Sequence, residues 1–325
     1  DCVVAADSTT VNLFKVVSAA VSLRPERTKI VTETRNFPTD NYIAEGVIRQ
    51  CGNRHRLVHV DRPQDIAAAI DDDTAVLMLT HVNYRDGSLH DMADLTRAAH
   101  DAGALVVWDL AHSAGALRVD LAGCHADFAV GCGYKYLNGG PGAPAFLYVA
   151  PRHHGGFRQP LSGWFGHRDP FEFTPQYDAA GDIGQYLCGT PPVLSMVALD
   201  AALDVWDGVD ITALRAKSQA LTGYFIELVE TRCAGHGLTL ISPRDPEARG
   251  SQVSFTHAQG GYAIISALIA DGVIGDFRAP DVLRFGFTPL YTSFADVWHA
   301  VDRMAAILDE HRWDKPEFHA RKAVT

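Results

Sequence analysis

The chain has 325 residues, 47% of them hydrophobic and 21% charged, with a formal net charge of −11. That length suits one large α/β domain with a smaller companion, and the acidic balance without a basic cluster argues against nucleic acid or an anionic membrane as partner. No apolar run long enough to span a bilayer and no basic-then-apolar leader can be read, and six scattered cysteines without a CxxC pair suggest reduced thiols in the cytoplasm.

In chain order, an amphipathic stretch opens at Asp7-Ser8-Thr9-Thr10 and runs to about residue 23. A strand is predicted over 28–33, a helix over 40–51, a strand over 56–60 and a helix over 63–70 that starts at Pro63. The apolar run 74–80 (TAVLMLT) is a buried strand, and 91–102 is a helix with Asp91 to cap it and Gly103 to end it. Strands over 104–109 and 127–131 complete an alternation of βαβ units, which signals a mainly parallel sheet. After Pro191-Pro192 come helices over 193–206 and 211–233, and then a smaller alternation. There, strands over 238–242, 252–256 and 282–287 and helices over 261–271 and 293–311 make a small domain with strands facing solvent. The division expected is 1–205 for a large domain and 206–325 for a small one.

The stretch VGCGYKYLNGGPGAPA at 130–145 places Lys135 just after a buried strand. Desolvation there lowers a lysine's pKa and makes it a nucleophile toward aldehydes, and the glycine-rich turn behind it lets backbone approach a flat ligand. Taken alone, the segment reads equally well as a surface lysine in a glycine loop. Gly131-Cys132-Gly133 lacks the third glycine of a dinucleotide fingerprint, and no Gly-Lys-Ser/Thr is present for a P-loop. Asp109 ends a strongly apolar strand, at the sheet edge where α/β proteins bind ligands, and a protonated pyridine nitrogen would compensate it. His112 could stack on such a ring or orient Asp109; an ordinary helix cap with a satisfied histidine is the plain alternative. Thr9 and Thr10 offer hydroxyls at a helix start for a phosphate, and Phe37 with Asp40 could cover a ring or simply form a loop and a cap. His153-His154 reads as exposed loop, since no metal-ligand spacing accompanies it.

In order, HVNYRDG at 81–87, WDLAHSAGA at 108–116, GYKYLNGGPGAPAF at 133–146, SGWFGH at 162–167, CGTPPV at 188–193 and LRFGFTPLY at 283–291 resemble the motifs of the kynureninase family over essentially the whole chain. The resemblance implies a fold-type I pyridoxal-5′-phosphate (PLP) enzyme, an α/β fold with a large, mainly parallel-sheet domain and a smaller C-terminal α/β domain. It also implies a cytoplasmic homodimer that hydrolyses L-kynurenine to anthranilate and L-alanine in tryptophan catabolism and NAD biosynthesis. Carried over residue by residue, Lys135 would be the Schiff-base lysine and the base for the substrate α-proton, and Tyr134 would bind phosphate and relay a proton. Asp109 would pair with the pyridine nitrogen, with His112 beside it. Thr9 and Thr10 would hold phosphate, Phe37 would stack on the ring, and Asp40 and Thr80 would support it. Trp164 and Thr190 would reach the neighbouring subunit's phosphate, and Arg284 would grip the substrate carboxylate. Thr190 stands where some eukaryotic members carry Asn, which points to L-kynurenine over its 3-hydroxy form. Family members carry a segment before the phosphate-binding helix start that this sequence, opening at Asp1, lacks; a fragment or an inactive PLP-binding relative is therefore one alternative. Another fold-type I enzyme, a cysteine desulfurase or an aminotransferase, is the other.

Overall fold

The computed structural model describes residues 2–320; Asp1 and 321–325, the outer ends of the two expected domains, lie outside the described residues. The chain divides into two compact units, one of residues up to 81 with 90–115 and 119–209, the other of 82–89, 116–118 and the residues from 210 onward.

The first unit is built on a seven-stranded sheet. Its strands are β1 (Val3–Ala5), β2 (Lys29–Glu33), β3 (Arg56–Val60), β4 (Thr74–Thr80), β5 (Leu105–Asp109), β6 (Phe128–Cys132) and β7 (Ala145–Val149), in the spatial order β1-β7-β6-β5-β4-β2-β3. β3, β2, β4, β5 and β6 are parallel; β7 and β1 add antiparallel pairs at one side. Every residue of β2, β4, β5 and β6 is buried, which is why these strands read as unbroken apolar runs: helices cover both faces of a parallel sheet. The helices are α1 (Thr9–Ser22), α2 (Pro38–Gln50), α3 (Ile66–Ala69), α4 (Met92–Asp101) and α5 (Val193–Leu203). α1 sits in the core, with Leu13, Val16 and Val17 packed with Val76, Val107 and Val130 of the sheet. α2 begins two residues before its predicted start, because Pro38 occupies the first helical turn. The helix predicted over 63–70 is instead a 3-10 turn, Pro63–Asp65, followed by the single turn of α3.

The second unit holds α6 (Ile211–Arg232), β8 (Thr239–Leu240), β9 (Gln252–Thr256), α7 (Gly261–Ala270), β10 (Asp276–Arg278), β11 (Val282–Gly286), α8 (Phe294–Asp309) and α9 (Pro316–His319). Its sheet is antiparallel, ordered β10-β11-β9-β8. The expectation of strands facing solvent is corrected here: β9 and most of β11 are buried under Phe225, Leu268 and Val301 of the covering helices. Residues 82–89 join this unit through the Leu89 N–H to the Ala248 carbonyl at 2.9 Å, Gly250 N–H to Gly87 at 2.8 Å and the Ser242 hydroxyl to Asp86 carbonyl at 2.6 Å. A boundary drawn once along the chain could not capture that excursion.

Candidate active site

The carboxyl ends of the parallel strands bring Glu33, Thr80, Asp109 and Cys132 to one edge of the first unit's sheet. Thr80 and Asp109 are direct register partners there. Asp109 Oδ1 accepts the Ala111 N–H at 2.7 Å. Asp40 lies in the first turn of α2, and its Oδ2 is 3.5 Å from the Thr80 hydroxyl. Burial pushes the Asp40 carboxyl well above its ordinary range, and the neighbouring charge of Asp109 pushes it further. Asp109 is raised by burial too, against the opposing pull of the Lys135 charge. The two carboxyls lie within hydrogen-bonding reach of one another. Two buried carboxyls so close are costly unless a cation enters beside them, so the pair fits a protonated pyridine nitrogen.

Lys135 follows β6 in the turn that the glycines shape. Its Nζ lies 3.0 Å from His112 Nε2, and 5.5 Å from the centre of the Tyr134 ring, which is itself exposed. The glycines of this turn are of two kinds. At Gly133 an added Cβ would sit 2.5 Å from the Pro144 carbonyl oxygen, and Gly139 is similarly closed by Gly133 and Ala143, so these two serve backbone packing. Gly140 and Gly142 instead adopt left-handed φ values of 70° and 87° with open space where a side chain would be.

Thr9, half-buried, and Thr10, exposed, open α1, where the Ser8 hydroxyl accepts the Val11 N–H at 3.3 Å. Lys15, one turn on and fully buried, joins Asp7 Oδ2 and the Tyr186 carbonyl, both at 2.5 Å, and so ties the turn before the helix to the chain near 186. Phe37 stands at the head of α2, partly exposed. Trp164 and Thr190, both exposed, flank a backbone-on-backbone approach: a Cβ at Gly163 would fall 1.6 Å from the Cys188 carbonyl oxygen. Arg284 belongs to the second unit. It lies opposite Asp276 in the β10–β11 register, donates to its carboxylate at 2.5 Å and to the Tyr84 carbonyl at 2.8 Å. The structure therefore gathers Asp40, Thr80, Asp109, His112 and Lys135 around one sheet edge, with Trp164 and Thr190 as a second pair and Arg284 in a separate unit.

Sequence reasoning passed over Asn36, Lys15 and the buried Glu33–His90 pair, whose atoms are 2.8 Å apart. A lysine set inside the apolar run LFKVV was the one available signal for Lys15. His153 corrects the exposed-loop reading of His153-His154: it is half-buried, stacks on Phe128 at 5.2 Å and meets the buried Asp127 carboxylate at 2.7 Å. Among the described residues no cluster of three or more His, Cys, Asp or Glu side chains could hold a metal ion, and no helix is long and apolar enough to cross a membrane.

Solved structures similar to this fold include the apo cysteine desulfurase of Thermococcus onnurineus NA1, with TM-score 0.82 and 20% identity over 95% of this chain and 79% of that one. The cysteine desulfurase CsdA of Escherichia coli follows at TM-score 0.77 and 20% identity, over 95% and 78%. Sheet, helices and sheet-edge lysine define the fold of the fold-type I PLP-dependent enzymes. In sequence, the chain is 54% identical to the kynureninase of Pseudomonas fluorescens over 99% of its own length and 78% of the relative's. It is 53% identical to that of Burkholderia mallei (strain SAVP1) over 100% and 79%, and residues 214–304 match the family model described as the kynureninase C-terminal domain. The chain belongs to the kynureninase family.

Proposed function

We propose that this chain, with PLP as its cofactor, hydrolyses L-kynurenine to anthranilate and L-alanine. What carries the reading is the Lys135 amine beside His112, at the same sheet edge as the buried Asp40–Asp109 pair, in a chain of this family. The desulfurase alternative is not favoured, because the desulfurases share the fold at 20% identity while the kynureninases match at 53–54% along the chain.

Bound PLP supplies an electron sink for the carbanion formed at the substrate's Cα. The chain's own residues bind, orient and move protons around it. Lys135 is the residue to hold its aldehyde and then to carry the α-proton; the 3.0 Å approach of His112 fixes where that amine sits. Asp109 would pair with the ring nitrogen, Asp40 and Thr80 would back it, and Phe37 would cover the ring. Thr9 and Thr10 take the phosphate with the N-terminus of α1, and Tyr134 adds its hydroxyl there. Arg284, steadied by Asp276 and the Tyr84 carbonyl, grips the substrate carboxylate.

The acting form is a homodimer in which Trp164 and Thr190 reach the other copy's phosphate. Support comes from α5: its sequence is apolar nearly all round, yet only Leu199 is buried, while Leu194 and Val197 are 89% and 62% exposed. The two units serve as large cofactor domain and small domain. We place the protein in the cytoplasm, in tryptophan catabolism and NAD biosynthesis, with six free cysteines suited to a reducing compartment. Thr190 supports L-kynurenine rather than its 3-hydroxy form as preferred substrate. Replacing Lys135 by Ala tests the assignment: turnover and the visible absorption of bound PLP should both disappear, and a variant retaining substantial turnover would contradict it.

A further inference from the structure

Asn36 is buried in the turn between β2 and α2, next to the proposed cofactor residues yet not among them. Its amide oxygen accepts two hydrogen bonds, from the Phe37 N–H at 2.8 Å and from the Thr80 hydroxyl. Its amide nitrogen donates to Thr32 Oγ1 at 3.2 Å. The Thr32 hydroxyl donates to Asn41 Oδ1 at 3.0 Å, and the Asn41 amide donates to the Glu33 carbonyl at 3.3 Å. This buried chain fixes the Asn36 side chain from behind, so that its oxygen presents one orientation to Phe37 and Thr80. A buried polar side chain held by several hydrogen bonds rigidifies what it touches.

We propose that Asn36 is a positioning residue of the PLP site, acting through the Thr80 hydroxyl and the Phe37 backbone on the Asp40 side of the cofactor. A threonine hydroxyl has one proton. Drawn to the Asn36 oxygen at the shorter contact, that proton is at most weakly shared with Asp40 Oδ2, 3.5 Å away. Without Asn36 the hydroxyl is free to turn and donate to Asp40, which changes how that carboxyl titrates beside Asp109. The same loss frees the Phe37 N–H at the head of α2 and loosens the ring that covers the cofactor.

This inference rests on the PLP reading above, and the experiment separates the two. PLP is titrated into the wild-type chain, Asn36→Ala, Thr80→Val and the double variant, followed by visible absorption across pH, with thermal melts to confirm folding. Wild type that takes up no PLP overturns the cofactor reading itself. Given uptake, Asn36→Ala should weaken PLP about tenfold, as expected when buried partners lose a hydrogen bond. The double variant should be no weaker than about threefold below the poorer single one, because the two residues act as one unit. The pH at which the bound absorption changes should move in Asn36→Ala and Thr80→Val alike. An affinity within about twofold of wild type, or losses that multiply in the double variant, would overturn the proposal. Should Asn36→Ala fail to fold, Asn36→Asp keeps the accepting oxygen and should hold PLP more tightly than Thr80→Val does; equal or weaker binding would overturn it as well.

Discussion

At the scale of single residues the site is held in tension by its carboxyls. Burial and the charge of Asp109 hold Asp40 above its ordinary pKa, so the folded chain prefers it protonated. For a carboxyl raised on folding, the preference is fully present below the unfolded value near 4 and is lost as pH rises toward the folded value. Asn at position 40 removes that burden. Without PLP, Asp40→Asn should therefore unfold at higher urea at pH 7, by about 1 kcal/mol or more, with the advantage shrinking below about pH 4. The same variant should bind PLP more weakly, since the cofactor loses the carboxyl set that its ring cation relieves. Equal or lower stability at pH 7 would refute this account of the pair. Asp109 stood out in the sequence as a charged residue ending an apolar strand, and the structure sets the Lys135 charge close enough to pull on its carboxyl. Asn36 did not stand out: an asparagine in a turn looks like any turn residue until tertiary packing supplies Thr80, distant in sequence, as its partner.

Among elements, two junctions hold distant segments together. Gly163 brings its segment against Cys188, and a methyl group there would collide with a carbonyl oxygen at 1.6 Å. Gly163→Ala should cost roughly 1–3 kcal/mol by overpacking, and more where backbone cannot yield. It should also displace Trp164 and Thr190 together; urea denaturation alongside PLP titration checks both effects, and unchanged stability would show that the close approach is not needed. The other junction joins α4 and β6, where the buried Asp127 meets His100 at 2.8 Å, His153 at 2.7 Å, Arg152 at 2.7 Å and the Val106 N–H at 2.8 Å. Although burial works against it, this set holds Asp127 far below the usual carboxylate range. A depressed folded pKa stabilises above the unfolded value near 4 and is lost as pH falls below it. Asp127→Asn should thus cost about 3 kcal/mol at pH 7, with the gap narrowing in acid; a pH-independent gap would count against it. The parallel strands were readable from sequence as buried apolar runs. β1 and β10 were not, because three residues carry no periodic signal and only pairing makes them strands, while the strand expected over 238–242 shrinks to the two residues of β8.

For the whole molecule, the proposed homodimer is tested on the exposed apolar face of α5. Leu194→Lys with Val197→Lys places two charges on that face. Sedimentation should then report a monomer, and PLP affinity should drop under the proposal that Trp164 and Thr190 reach across. A double variant that stays dimeric with full affinity would move the interface elsewhere. The family was legible in the sequence, since its motifs run in order from 81 to 291, but the excursion of 82–89 into the second unit was not, because contacts distant in sequence decide it. The proposed hydrolysis of kynurenine at Lys135 is checked by supplying the purified chain with PLP and L-kynurenine and following anthranilate fluorescence while recording the visible absorption of bound cofactor. Anthranilate should appear only in samples that carry the absorption. Absorption without anthranilate, under conditions in which a known kynureninase releases it, would contradict the claim.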